Sequence, residues 1–355
     1  MKAQIYIGII GLLIQLLISS EVVYARTPDS VLLMAKRYMM YHSSFPSGTD
    51  FYRLNYHALS EKVKGEKPVI MDSIMINQSL FVSRHIAYST HTGMSIQQYG
   101  RLIRIIELDK NTIAYVSGLR QDDLIRSING VYPAHLLHAW QLLQSGKIIE
   151  IETINNGLKK LTKVQSKNYP LNSIIIRNHE GNTYIDVKTF QSSIVDEYDS
   201  LISTLQLSQY DTVIIDIRKT IGLGDLKSVI EMASTFIPDE TDIMKMTVGS
   251  SEHTFTSIAK KNFAYPNIRV MIDTNTEGHA LLFAGLLYHF ASAELSGTRS
   301  SNNGKLTLLM PLEKSSAYYL SFPIVHYEIG DQYVLHERGL EPGKLNDQRS
   351  EYTLK

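Results

Sequence analysis

Residues 273–287 read DTNTEGHALLFAGLL, and the β-branched run IRVMI at 268–272 leads into them. A strand-like run, a turn of small and polar residues, and an apolar segment of helical length predict strand, tight turn and helix. α/β enzymes present a nucleophile on such a turn, beside backbone N–H groups that the helix leaves unbonded. Here the turn holds Glu277, Gly278, His279 and Ala280, with neither serine nor cysteine. The pattern predicts the architecture of a catalytic turn without its usual side chain.

The surrounding chain alternates in the same way. TYIDVKTF (183–190) and TVIIDIR (212–218) read as strands, while SIVDEYDSLISTLQL (193–207) and DLKSVIEMASTFI (225–237) read as amphipathic helices. This βαβα order predicts an α/β core with a largely parallel sheet over 168–345. LTLLMPLEKSSAYYLSFPIVHYE (306–328) reads as hairpin structure within it, and 346–355 as a polar tail.

Residues 89–167 read differently. Short β-like runs (GMSI, RLIRIIEL and KIIEIETI), one helix-like run (HLLHAWQLLQSG) and Asn-Gly pairs at 129–130 and 156–157 predict a small β-rich unit. Residues 26–88 carry Met, Tyr and Leu at helical spacing, as in SVLLMAKRYMMY and SIMINQSLFVSRHIAY, and predict a helical N-terminal region. At the start, Lys2 precedes IYIGIIGLLIQLLI, and Val23-Tyr24-Ala25 makes a small-residue cleavage pattern. Residues 1–25 are expected to be a secretory signal peptide and the mature protein to be exported, periplasmic or extracellular, without a stable membrane anchor; the apolar run is short for a bilayer span. The other reading is a retained anchor.

Thirty-five basic and 35 acidic residues balance, so no global field favours nucleic acid. The chain has no cysteine, which excludes disulfides and thiolate chemistry. No metal-ligand spacing such as H-E-x-x-H and no phosphate loop occurs, so neither metal nor cofactor is expected.

Two resemblances follow from particular residues. IAYVSGLRQDDLIRSINGV (113–131) resembles the core pattern of PDZ domains through Leu119, Asp123, Ile125, Ile128, Asn129 and Gly130, with Gln121-Asp122 where the family has a glycine. Gly93, Met94, Ser95 and Ile96 resemble its carboxylate-binding loop; this implies that they capture a peptide C-terminus while the adjoining edge strand accepts the peptide. A PDZ-like fold that binds no peptide is the alternative. The later segments resemble the tail-specific, or C-terminal processing, serine peptidases of family S41. TYIDVKTF, Asp216, Arg218, Gly222, the helix with Ala233 and Phe236, IRVMIDTNTEGHALLFAGLLYHFASAELSG and the closing HERGLEPG carry that likeness in order. It implies a ClpP/crotonase-like α/β core.

The S41 resemblance places the nucleophilic serine at Gly278, a vacant position. It makes His91 in THT the candidate base, Gly222 (with Gly224) the oxyanion turn, Lys305 an alternative dyad lysine and Glu337 a histidine-orienting acid. Each has a plainer reading: His91 leads into the next strand, and Lys305 is a solvated loop residue. The expected function is that of an exported, catalytically inactive peptidase relative that binds extended peptides or unfolded protein C-termini, with an active paralogue as a further partner. The alternatives are an active serine endopeptidase using Ser292, Ser296 or Ser300, and a structural protein in which both modules are only scaffolding.

Overall fold

The computed structural model describes residues 69–72, 80–155, 157–179, 181–191, 194–204, 212–221, 224–248, 251–258, 267–302, 304, 306–311, 318–324, 326–330, 335 and 339–343. The expected signal peptide, most of the N-terminal region, the polar tail, and Gly222, Lys305 and Glu337 lie outside them.

The β-rich unit is a six-stranded antiparallel sheet. Its strands are β2 (Ile86–Ser89), β3 (Met94–Tyr99), β4 (Leu102–Leu108), β5 (Leu124–Ile128), β6 (Ile148–Asn155) and β7 (Leu158–Gln165), paired in that order. Helices α1 (Ile113–Val116) and α2 (Leu136–Leu143) complete it. Alternation explains the core: in β6 the odd-numbered Ile149, Ile151 and Thr153 are buried, and the two isoleucines share a cluster with Ile96, Ile105, Ile125 and Leu143. Asn129 and Gly130 both have positive φ, 52° and 76°, and Ile128 and Val131 exchange backbone bonds across them. This is the two-residue turn that Asn-Gly favours. Where the PDZ pattern has a glycine, Asp122 adopts φ 69°. The turn keeps its left-handed residue, at a cost of about 1 kcal/mol that a short polar side chain tolerates.

One boundary moves. Residues 86–89, read as the end of a helical region, are strand β2, because their backbone pairs with β3 from Ile86↔Gln97 to Ser89↔Met94. The β-rich unit therefore begins before residue 89. Still earlier, β1 (Val69–Asp72) is also strand and pairs with β16 (Tyr318–Ile324) of the last hairpin, whose other arm is β15 (Leu306–Pro311).

The α/β core holds a five-stranded sheet in the order β14-β13-β10-β9-β8: Glu294–Gly297, Asn267–Ile272, Thr212–Asp216, Asn182–Val187 and Ile174–His179. The first four strands are mutually parallel and β8 is antiparallel to β9. Helices α3 (Ile194–Thr204), α4 (Leu226–Ala233) and α5 (Gly278–Phe290) connect them. A second small sheet joins β11 (Asp242–Val248) to β12 (Ser251–Thr256) and β17 (His326–Ile329).

Every residue of α5 from His279 to Tyr288 is buried. A helix that is apolar all round must be enclosed, and α5 shares one core with Ile215, Val229, Leu306, Tyr327 and Leu340. Gly285 permits the closest approach: a Cβ there would lie 2.7 Å from Ile329 and 2.9 Å from Leu335. Burial thus fixes the start of α5 at the ends of the parallel strands.

Candidate functional site

Asp216 at the end of β10 sits level with Asp186 on β9 and Met271 on β13. The segments that follow β10 and β13 therefore leave the sheet side by side at its carboxyl edge, where open α/β sheets place their sites. The turn after β13 is held by its own polar groups. Thr276 is fully buried; its hydroxyl accepts from the Asp273 N–H at 3.0 Å, and its N–H donates to the Asp273 carbonyl at 2.9 Å. The Asp273 carboxylate accepts from the Asn275 N–H at 2.8 Å and its side-chain amide at 3.0 Å. Gly278 then opens α5 with φ 54°. This left-handed conformation suits glycine, and any other residue there is strained.

Three segments that are far apart in sequence meet at this turn. Gly224, before α4, touches His279 so closely that a Cβ on it would lie 2.5 Å from the imidazole Cγ. The Ser301 N–H donates to the Thr276 carbonyl at 3.2 Å. Ser300 binds the closing segment in turn, its N–H to the Leu340 carbonyl at 3.0 Å and its hydroxyl oxygen accepting from the Leu340 N–H at 2.8 Å. The β-rich unit reaches the turn through Gln97, whose amide lies 3.4 Å from the Asn275 side-chain oxygen.

His279 is 8% exposed. Burial pulls its pKa down to about 4, against the opposing charge of Asp225, so the ring is neutral at pH 7. Nearby, Asp216 accepts the Arg218 guanidinium at 2.9 and 2.7 Å and its N–H at 3.0 Å. Burial alone would raise the Asp216 pKa, but these bonds hold it below the usual carboxylate range. Arg218 is in turn held charged by Asp216 and by the fields of Asp273 and Asp186. Lys188, 6% exposed, crosses to the β-rich unit and pairs with Glu107 at 2.7 and 2.9 Å.

Residues 182–343 match the model of peptidase family S41. The core of this chain is similar to that family. The fold agrees: a putative S41 protease from Bacteroides fragilis NCTC 9343 superposes with a TM-score of 0.60 at 13% identity, over 87% of this chain and 88% of that one. A photosystem II D1 C-terminal processing protease gives 0.54 at 13% identity, over 89% and 92%. No curated protein matches the sequence.

The expected site residues part company. Gly278 and Gly224 come together. His91 lies at the other end of the β2–β3 hairpin from Gln97; its carbonyl accepts from the Lys167 N–H at 3.1 Å. Three strand residues, about 10 Å, separate Met94 from Gln97, and His91 stands three residues before Met94. The turn that holds His91 is thus tied to residues 167–169, where the Tyr169 N–H donates to the Thr90 carbonyl at 2.7 Å.

The expected carboxylate loop runs into β3, and the edge strand beside it is β2. Met94, Ser95 and Ile96 lie in β3, which pairs with β2 on one side and β4 on the other, so β3 is not the edge strand that peptide addition requires. The N–H groups of Thr92 and Gly93 both turn to the Ser89 carbonyl, at 3.4 and 2.8 Å. Beyond β2, the Trp140 indole donates to the Tyr88 carbonyl at 2.8 Å.

The alternative serines fare no better as nucleophiles. Ser292 follows the far end of the 13-residue α5, about 20 Å from Gly278 by helical rise. Ser296 on β14 has its hydroxyl buried without a hydrogen-bond partner among the described residues. Ser300 is 5% exposed and its hydroxyl donates to the Ser301 carbonyl at 2.8 Å.

No local signal marked the Lys188–Glu107 pair or the contact between His279 and Gly224. Glycine at 224 and histidine directly after Gly278 were visible, but their pairing links residues 55 positions apart.

Proposed function

We propose that this chain is an exported S41-type protein that binds extended peptides or protein C-termini at the carboxyl edge of its parallel sheet and does not hydrolyse them. One observation carries the reading: the position that opens α5, where the strand–turn–helix pattern presents a nucleophile, is Gly278 in a left-handed conformation. A glycine offers no atom to form an acyl-enzyme. The surrounding frame supports binding, since the 224, 273–279 and 300–301 segments remain packed together. Export follows from the leader-like residues 1–25. Among the described residues no helix is long and apolar enough to cross a membrane. The PDZ-like unit then contributes Gln97 beside the turn, and an active paralogue is a natural partner for a peptide-binding relative.

The test is to incubate the mature protein with a fluorophosphonate probe and with unstructured peptides. Binding by anisotropy without covalent labelling is the expected result. Labelling that heat denaturation abolishes would establish the second reading, an active serine peptidase.

A further inference from the structure

We propose that Arg104, stacked on Tyr99, is a specificity residue that takes an acidic side chain within the bound peptide. The inference rests on the peptide-binding reading above and names the residues beside the turn that select the peptide.

The pairing of β3 with β4 sets Gln97 directly opposite Arg104. Opposite residues of an antiparallel pair project from the same face. Tyr99 follows Gln97 by two positions on β3 and shares that face. Its ring centroid lies 3.7 Å from the Arg104 guanidinium carbon, as this placement requires. Gln97 is the residue through which the β-rich unit reaches the turn before α5, at Asn275. Cross-strand neighbours have Cβ atoms about 5 Å apart, so Arg104 stands one side chain away from that contact.

The second observation is the state of the cation. Arg104 is half-buried, and its cross-strand neighbours, Gln97 on β3 and Leu124 on β5, carry no charge. Arg126, Arg177, Arg218 and Arg269 are each paired with a carboxylate. Among the described residues Arg104 has no such partner, and Glu107, three residues along β4, is taken by Lys188. The Tyr99 ring attracts and orders the guanidinium, but a ring face holds no oxygen for its five N–H donors. A planar fork of donors matches a carboxylate in a bidentate pair, and partial burial weakens the screening of that pair by salt. An extended peptide advances about 3.3 Å per residue. The acidic residue therefore falls within about two positions of the one that rests at the turn.

The experiment titrates the full mature chain with fluorescein-labelled, C-terminally amidated decapeptides of alanine, serine and glutamine, read by anisotropy. Each carries one glutamate, moved along the peptide, and the reference carries glutamine throughout; amidation leaves the side chain as the carboxylate that varies. Glutamate at one or two adjacent positions should tighten binding about fivefold or more, as expected for a charge-assisted bidentate pair. Arg104→Gln should bring that ratio to about one, whereas Arg104→Lys, which keeps the charge without the fork, should retain part of it. In the unaltered protein, the Arg104 Nε–H resonance should move with the preferred glutamate peptide and stay put with the glutamine reference, a readout that needs no variant to fold. Equal affinity for every peptide would overturn the inference and leave peptide binding intact. A glutamate preference that persists in Arg104→Gln, with a static Arg104 resonance, would overturn this site. Absence of binding by all of the peptides would overturn the peptide-binding reading itself.

Discussion

Two turns in this protein carry a glycine in left-handed conformation and invite the same reading, an anion held by backbone N–H groups. At the β2–β3 turn, Gly93 has φ 69°, and its N–H and that of Thr92 are both committed to the Ser89 carbonyl. At the start of α5, Gly278 has φ 54°, and the N–H groups that follow are the unbonded first donors of a helix. Glycine and turn geometry are common to both; what separates them is where the donors point. A glycine-rich turn is a binding site only when its N–H groups are not already consumed by the turn itself.

Four measurements would break or sharpen that contrast. The largest effect concerns His279. Its pKa is about 4 in the folded chain against an ordinary 6.5, so between those values the unfolded chain binds the extra proton. Stability should be full above pH 6.5 and fall as pH drops toward 4, by about 3 kcal/mol. Chemical denaturation across this range should show the loss, and His279→Phe should remove it.

At the β2–β3 turn, Gly93→Ala should cost about 2–3 kcal/mol, because the φ is unfavourable and the added Cβ would lie 2.6 Å from the Thr112 methyl. Thermal melts would check it, and a neutral result would mean that the turn is not packed as described. Gly224→Ala should cost about 2 kcal/mol through its overlap with His279. His279→Gly in the same chain should recover part of that cost, since alanine would keep a Cβ 2.6 Å away, and a double-mutant cycle showing simple additivity would deny the contact. The smallest effect is expected at Gly278→Ala, about 1 kcal/mol of left-handed strain. A loss as large as that of Gly93→Ala would mean that the space before α5 is already filled.

The core was legible in the sequence because its signals are local. IRVMI, TVIIDIR and the apolar run after Gly278 each state their own structure, and burial on alternate residues such as Ile268, Val270 and Ile272 confirms the period. Strands β7 and β8 were not read as such. LKKLTKVQ buries only Thr162 and Val164, so its alternation is nearly hidden under lysines. β2 was misread because IAYS follows a helix-like run and becomes strand only through its pairing with β3. β11 and β12 likewise depend on each other and on β17.

The site was half legible. The vacancy at Gly278 follows from the turn pattern and from the resemblance that aligned it. The bonds that tie the His91 turn to residues 167–169, and the contact of His279 with Gly224, depend on how distant segments pack. No spacing in one chain reports that.

The central claim, binding without hydrolysis at the turn that opens α5, is tested most directly by mass spectrometry of a peptide kept with the mature protein under conditions where anisotropy shows it bound. The account predicts that the peptide is recovered intact at its full mass after prolonged incubation. Progressive cleavage into fragments, blocked by fluorophosphonate, would contradict it.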